Sequence, residues 1–373
     1  MLPQPQDGAS LRRRYDIITP MRYIGSKDRL LPFIQQALDD HGAEGGTFCD
    51  AFSGTSVVAS HAKARGYRVV ANDLLFFSYV LQRAYLCCAS PPRFERLPGA
   101  ATGSAPEATW HNKLSNTIYY LNALPPSPGF VYEHYSPAGA AGRAYLSPEN
   151  AGRIDAIRAH IGAWWDAGLL EGEEPYVLLA ALIEAVPYVS NISGTYGAYL
   201  KSWDARALKP LTLRVPEIVP TALCHRAHHG DATALVADVC CDVLYLDPPY
   251  NSRPYASNYH LLETIARYDM PQVHGKTGLR RDEDRSAYNA AAPAAAALRV
   301  LVGAARCTHL LLSYNSEGLI PEAEIMDILS TRGNPEVRRQ PYRRFRSAAD
   351  GPGRRYAPQA EVSENLYYVR CDA

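Results

Sequence analysis

The hydrophobic pattern divides the chain into two rhythmic stretches separated by a long irregular one. In the first, Leu30 to Leu38 is helix-like, Thr47-Phe48-Cys49-Asp50 reads as a strand and Phe52-Ser53-Gly54-Thr55 as a turn. A helix from about Ser56 to Arg65 follows, Gly66 stops it, and Tyr67-Arg68-Val69-Val70-Ala71 reads as a second strand closed by Asn72-Asp73. Strand, helix and strand in that order make a βαβ unit, the building block of a parallel sheet.

That rhythm is lost from roughly 90 to 220. Pro, Gly, Ala and Ser crowd Ser90 to Pro106 and then Pro125 to Pro137, which predicts loops. Two helices still show: Ile154, Ile157, Ile161, Trp164 and Trp165 fall at helical spacing, and Tyr176 to Val186 is apolar up to Pro187. Tryptophans on such a face belong to a core. Alternation resumes near His229, with a buried strand over Asp238 to Leu246, helices over Tyr255 to Tyr268 and Ala290 to Arg306, a strand over His309 to Tyr314, a helix over 321 to 330 and two terminal strands. The expected fold is α/β: a parallel-sheet domain over 21–88 and 221–373, split by a mostly helical insertion over 89–220, with the polar residues 1–20 as a flexible arm.

Composition changes this picture little. Lys+Arg and Asp+Glu both total 38 in 373 residues, so net charge argues neither for nor against a polyanionic partner, and only clustering speaks to it. Arg338, Arg339, Arg343, Arg344, Arg346, Arg354 and Arg355 crowd one stretch with Tyr342, Phe345 and Tyr356 interleaved, which fits either phosphate tracking or a solvated hairpin. Eight cysteines without a CxxC pair point to reduced thiols in cytoplasm. No run reaches about 18 apolar residues, and no apolar segment follows Arg12, Arg13 and Arg14, so neither export nor a membrane span is expected.

Candidate chemistry begins at Asp247-Pro248-Pro249-Tyr250, directly after the apolar run Val243-Leu244-Tyr245-Leu246. Two prolines donate no backbone hydrogen bond and fix φ near −65°, so the strand stops there and the Pro248 carbonyl takes a set direction. Carboxylate, carbonyl and aromatic ring at a strand's carboxyl end suit an amino group on a planar ring. Gly54 opens a helix after the first strand, and Asp73 ends the next strand about 20 positions on, the distance at which such folds hold a ribose. The single glycine departs from GxGxxG and favours an adenosine cofactor without pyrophosphate. Two decoys are set aside: Gly275-Lys276-Thr277 has Met270 where a phosphate loop needs its first glycine, and Cys224, His225, His228 and His229 lack a second half at zinc spacing, so no metal is expected.

Together with Tyr23-Ile24-Gly25-Ser26-Lys27, Asp50-Ala51-Phe52-Ser53-Gly54-Thr55, Asn72-Asp73 and Asp247-Pro248-Pro249-Tyr250-Asn251, the chain resembles the Dam-like class of DNA adenine methyltransferases. Further matches run through Tyr255, Tyr259 to Glu263, Leu312 to Gly318 and Glu364-Asn365-Leu366. The resemblance implies a Rossmann-like sheet that binds S-adenosylmethionine, with the insertion as target-recognition region. It implies that Tyr23, Gly25 and Lys27 hold the methionine end of the cofactor, that Asp50, Phe52 and Gly54 hold its middle, that Asp73 holds the ribose and that Asp231 lies near the adenine. Ser56 departs from the pattern, standing where many members have a second glycine.

The expected reaction is methyl transfer to N6 of an adenine flipped out of duplex DNA, with Asp247 and the Pro248 carbonyl accepting the amino hydrogens, Pro249 fixing the turn and Tyr250 stacking on the base. A cognate restriction endonuclease is the expected partner. The polar, glycine-rich run Asn191 to Lys201 supplies DNA-reading candidates: Asn191 for adenine, Tyr196 in the same loop, and Lys201, with Lys209 and Arg253, for phosphate. A solvated loop is the competing reading. Cytosine N4, RNA adenine or a protein amide as acceptor, and a non-catalytic DNA-binding protein on the same fold, are the alternative functions.

Overall fold

A computed structural model describes residue 23 and residues 25–102, 110–282, 286–342 and 362–372. The N-terminal arm and Arg343, Arg344, Arg346, Arg354 and Arg355 of the arginine-rich stretch lie outside the described residues. The strands are β1 (Thr47–Asp50), β2 (Arg68–Asp73), β3 (Arg226–His229), β4 (Cys240–Leu246), β5 (Val273–His274), β6 (Leu279–Arg280), β7 (Arg306–Asn315), β8 (Glu336–Tyr342) and β9 (Val362–Arg370). Seven of them form one sheet in the order β3-β2-β1-β4-β7-β9-β8, while β5 and β6 pair separately. Neighbours from β3 to β7 run parallel, and β9 runs antiparallel to both β7 and β8. From β1 the chain moves outward to β2, and from β4 it moves the other way to β7. Strand order therefore reverses between β1 and β4, which opens a crevice at their carboxyl ends.

Both faces of the sheet are covered, which is why its strands read as near-continuous apolar runs. Phe48, Val69, Ala71, Val243, Tyr245 and Leu311 share a core with helices Leu31–Asp40 and Val57–Ala64. Cys49, Val70, Leu244, Leu246, Leu310 and Leu312 alternate with them and pack against helices Ala232–Asp238, Ala291–Ala304 and Glu322–Ser330.

A third core belongs to the interrupting region and two helices of the sheet domain together. Leu114, Ile118 and Leu121 of helix Trp110–Ala123, Ile154, Ile157 and Ile161 of helix Pro148–Asp166 and Leu178, Leu179 and Leu182 of helix Glu174–Ala185 are buried in one cluster with Phe77, Val80 and Leu81 of helix Phe76–Gln82 and with Leu261, Leu262 and Ile265 of helix Tyr255–Arg267. The sequence reading found neither Phe76–Gln82 nor Trp110–Ala123, and it took Pro125 to Pro137 as loop where Phe130–Tyr135 forms a short helix. Helix Phe76–Gln82 buries five of its seven residues, so it shows no amphipathic period. The short helix depends on Asp155, far along the chain, whose carboxylate accepts from Gly129 N (3.0 Å), Val131 N (2.9 Å), Tyr132 N (2.8 Å) and Tyr268 Oη (2.7 Å). A cap supplied across the fold leaves no local signal.

Replacing this carboxylate strands those amides away from water. Asp155→Ala is expected to lower unfolding stability by about 3 kcal/mol in urea titrations; a loss below roughly 0.5 kcal/mol would show that the cap is dispensable.

Candidate active site

The carboxyl ends of three neighbouring strands each carry an aspartate into the crevice: Asp73 on β2, Asp50 on β1 and Asp247 just after β4. The loops around them are held by backbone contacts. Asn72 Nδ2 donates to the carbonyls of Ala51 and Gly230, both at 3.1 Å, tying together the turns after β1 and β3. Asp73 accepts from Gly54 N (2.8 Å) through Oδ2 and from Leu75 N (2.9 Å) through Oδ1. Glu263 of helix Tyr255–Arg267 reaches across to cap helix Phe76–Gln82, accepting from Phe76 N and Phe77 N at 3.0 Å each. The elements after β2 and β4 are thereby fixed to each other.

The resulting cleft encloses about 1000 Å³, solvent at its mouth included, and Tyr23, Gly25, Lys27, Asp50, Phe52, Gly54, Asp73, Asp231, Asp247 and Pro249 all line it. Tyr23 stacks on Tyr259, with ring centroids 4.5 Å apart, and closes one wall. Two glycines leave room where a side chain would intrude: a Cβ at Gly25 would lie 3.0 Å from Tyr255 Oη, and one at Gly54 would lie 3.3 Å from Tyr23 Cε1. Both have positive φ, +79° and +51°. Asp231 caps helix Ala232–Asp238, accepting from Thr233 N and Ala234 N. Phe52 meets Tyr288 edge-on at 5.2 Å. Pro248 is buried, and Tyr250 packs edge-on against Tyr314 at 6.5 Å while its carbonyl accepts from Leu319 N at 3.1 Å.

The burial of these carboxylates shows in their proton affinities. Burial pushes Asp50 up to about 8, with the charge of Asp247 adding to it, and Asp50 Oδ1 is buried without a hydrogen-bond partner. Burial also raises Asp73 to about 6, against the amide hydrogen bonds from Leu75 and Gly54. Asp247 rises to about 6 for the same reason, against the pull of Lys27.

Lys27 has a partner the sequence reading did not give it. Its Nζ lies 3.0 Å from Asp247 Oδ1 and 2.8 Å from Glu364 Oε1, with all three side chains largely buried. Ser313 Oγ donates to the same Glu364 oxygen at 2.7 Å. Glu364 was quoted in the resemblance without a role. A charge beside the apolar run Leu366 to Val369 is the signal that marks it.

The DNA-reading candidates divide. Asn191 is corrected: it is 1% exposed, its Nδ2 donates to the carbonyls of Ala144 and Leu200, and its Oδ1 accepts from Asp204 N, so its amide is spent inside the protein. Tyr196 is corrected likewise, being 1% exposed with its hydroxyl 3.1 Å from Ser190 Oγ. The polar run thus buries the side chains that hold its own shape. Lys201, Lys209 and Arg253 are exposed, and Arg253 Nη1 approaches Gly197 of that run. In the arginine-rich stretch, Arg338 pairs with Asp40 and Arg339 with Glu322.

These parts gather three strand-end carboxylates, a buried lysine and an aromatic wall into one cleft on an α/β sheet. The family model for D12 class N6 adenine-specific DNA methyltransferases matches residues 23–328, and the chain belongs to that family. It is 41% identical over 360 residues to the type II methyltransferase M.FokI of Planomicrobium okeanokoites, covering 94% of this chain and 53% of that protein. Identity to the modification methylase StsI of Streptococcus sanguinis is 40%, over 94% of this chain and 52% of that one. The type II methyltransferase M.NlaIII of Neisseria lactamica is 34% identical over 88% of this chain and 93% of its own length. The chain therefore spans about half the length of the first two relatives and nearly all of the third. Among the described residues no helix is long and apolar enough to cross a membrane.

Ser56, where the glycine is missing, adopts φ +64° as the residue preceding helix Val57–Ala64, a left-handed conformation that costs a non-glycine residue about 1 kcal/mol. Ser56→Gly is expected to leave thermal stability equal or raised by up to about 1 kcal/mol, whereas Ser56→Val loses more than about 2 kcal/mol. Equal melting temperatures for the two variants would contradict the conformational argument.

Proposed function

We propose that the chain transfers the methyl group of S-adenosylmethionine to N6 of an adenine flipped out of duplex DNA, as the modification enzyme of a restriction system working in cytoplasm beside an endonuclease of the same site. In this reading the region over 89–220 is the target-recognition part, with Lys201 and Lys209 as its phosphate contacts, and Arg253, just after the catalytic loop, is a further one. The observation that carries the reading is one cleft lined by Asp247 and Pro249 together with Asp50, Gly54 and Asp73. The residues present fit the cofactor. Asp50 Oδ1 is a buried acceptor without a partner, which suits the ammonium of the methionine end rather than the middle of the cofactor expected of it, and a Cβ at Gly25 or Gly54 would crowd the cradle.

When bound, the cofactor supplies an activated methyl group on a sulfonium. Asp73, at the end of β2, is the acceptor for ribose hydroxyls, and Tyr23, backed by the buried Tyr259, keeps water from the methionine end. The exocyclic amine of adenine is a weak nucleophile because its lone pair is delocalised into the ring. Asp247 Oδ1 is engaged by Lys27, which leaves Oδ2 to accept one amino hydrogen while the Pro248 carbonyl accepts the other. That geometry localises the lone pair along the line of displacement. Tyr250 offers its ring to the extruded base. After transfer, the Asp247 carboxylate takes the proton that the methylated nitrogen sheds.

Asp247→Ala should abolish methyl transfer to adenine in a radiolabel assay while calorimetry still shows cofactor binding; turnover near the wild-type rate would refute the role. The carboxylate must be ionised to accept a proton, and its raised proton affinity places that ionisation near pH 6. The rate is thus expected to fall as pH drops through about 6, and a profile flat to below about pH 5 would be inconsistent with it.

Burial pushes Asp50 up to about 8 and so favours its neutral form in the free protein, whereas the cofactor's ammonium favours its charged form. Cofactor binding should therefore release about one proton near neutral pH, read as a dependence of the calorimetric enthalpy on buffer ionisation. Asp50→Asn removes that dependence if the assignment is right.

A further inference from the structure

We infer that Glu364, acting through Lys27, is a positioning residue that sets the charge and orientation of Asp247. The inference rests on the methyl-transfer reading above and concerns a residue on the far, antiparallel side of the sheet. Lys27 sits between two carboxylates, 3.0 Å from Asp247 Oδ1 and 2.8 Å from Glu364 Oε1. Ser313, on the neighbouring strand β7, steadies Glu364 by donating to the same oxygen at 2.7 Å. Without Glu364 the ammonium would be free to swing toward Asp247 and neutralise it as a simple pair. Shared between two carboxylates, it leaves the group with one net negative charge, next to the nitrogen that becomes positive as the methyl group arrives. The sharing also pins Nζ against Oδ1, so that the other oxygen is presented to the amine.

The directions of the proton affinities agree with this division. Burial raises Asp247, Lys27 lowers it, and Glu364 raises it again. Lys27 is held well above the usual lysine range although burial pulls it down, by Asp247 first and Glu364 next. The titratable groups facing Asp247 are Lys27, Glu364, Asp50, Tyr23, Tyr245 and Tyr255. The three tyrosines are raised well above their usual range by burial, and Asp50 titrates near 8. Asp247 is the group of this set that changes charge near 6, and because Asp73 in the same cleft also rises to about 6, the carbon-13 midpoint of Asp247 is what separates the two.

The test is Glu364→Gln in the full chain, which keeps shape and removes the charge. The kcat for methyl transfer is expected to fall on the order of tenfold, with the DNA KM and cofactor Kd within about twofold, and the acid limb should move to lower pH because Asp247 loses a repelling anion. Carbon-13 titration of carboxyl-labelled aspartate in the cofactor-free protein, with the Asp247 signal assigned through Asp247→Asn, should show the same downward shift without any turnover. Glu364→Asp should recover part of the rate. An unchanged rate and acid limb overturns the inference, and so does a lost rate with neither the limb nor the carbon-13 midpoint moved, which is a merely structural effect. If Glu364→Gln does not fold, Ser313→Ala replaces it and must move the midpoint in the same direction by a smaller amount. A wild-type protein that methylates no DNA adenine refutes the proposed function, and the carbon-13 titration still decides the role of Glu364.

Discussion

Covering both faces of a parallel sheet forces polar chemistry to the ends of its strands, and in this protein the consequence is concentrated on three of them. β2, β1 and β4 are adjacent, parallel and in register, so the aspartates at their carboxyl ends arrive in one place. Three carboxylates in a partly dry crevice are costly to ionise, and burial raises the proton affinities of Asp50, Asp73 and Asp247, with the other two aspartates adding to it at Asp50. The crevice is built to be completed by positive charge. Lys27 supplies part of it, 3.0 Å from Asp247 Oδ1.

The loops that present these groups are short, and their rigidity comes from contacts made at long range. Asn72 bridges two turns, Glu263 caps a helix from a different part of the chain, and Asp155 does the same for the short helix Phe130–Tyr135. Each is a buried side chain satisfying backbone amides or carbonyls, so each is expensive to remove and hard to replace. Together they join the strand ends into one frame.

Much of the frame was legible in the sequence because parallel strands buried on both faces leave an unmistakable apolar run, as Val243 to Leu246 and Leu310 to Leu312 do. The strand-end aspartates were legible for the same reason: each follows such a run. Helix Phe76–Gln82 was not, since burial on nearly all sides erases the period that identifies a helix. Asn191 and Tyr196 misled because polarity was taken for exposure, whereas their polar atoms are consumed in holding the loop together. Glu364 was passed over because its partner lies 337 residues away, a distance at which no local pattern operates.

The core that the inserted region shares with helices Phe76–Gln82 and Tyr255–Arg267 bears on how such a protein diversifies. A region that met the sheet domain only through linkers would be exchangeable as a cassette. Here the inserted helices interdigitate with Phe77, Leu81, Leu261 and Ile265, so a transplanted region must bring matching faces for both supporting helices. One of those helices carries Glu263 and begins a few residues after Asp247. Any exchange of the region over 89–220 must therefore carry its two supporting helices with it as a single block.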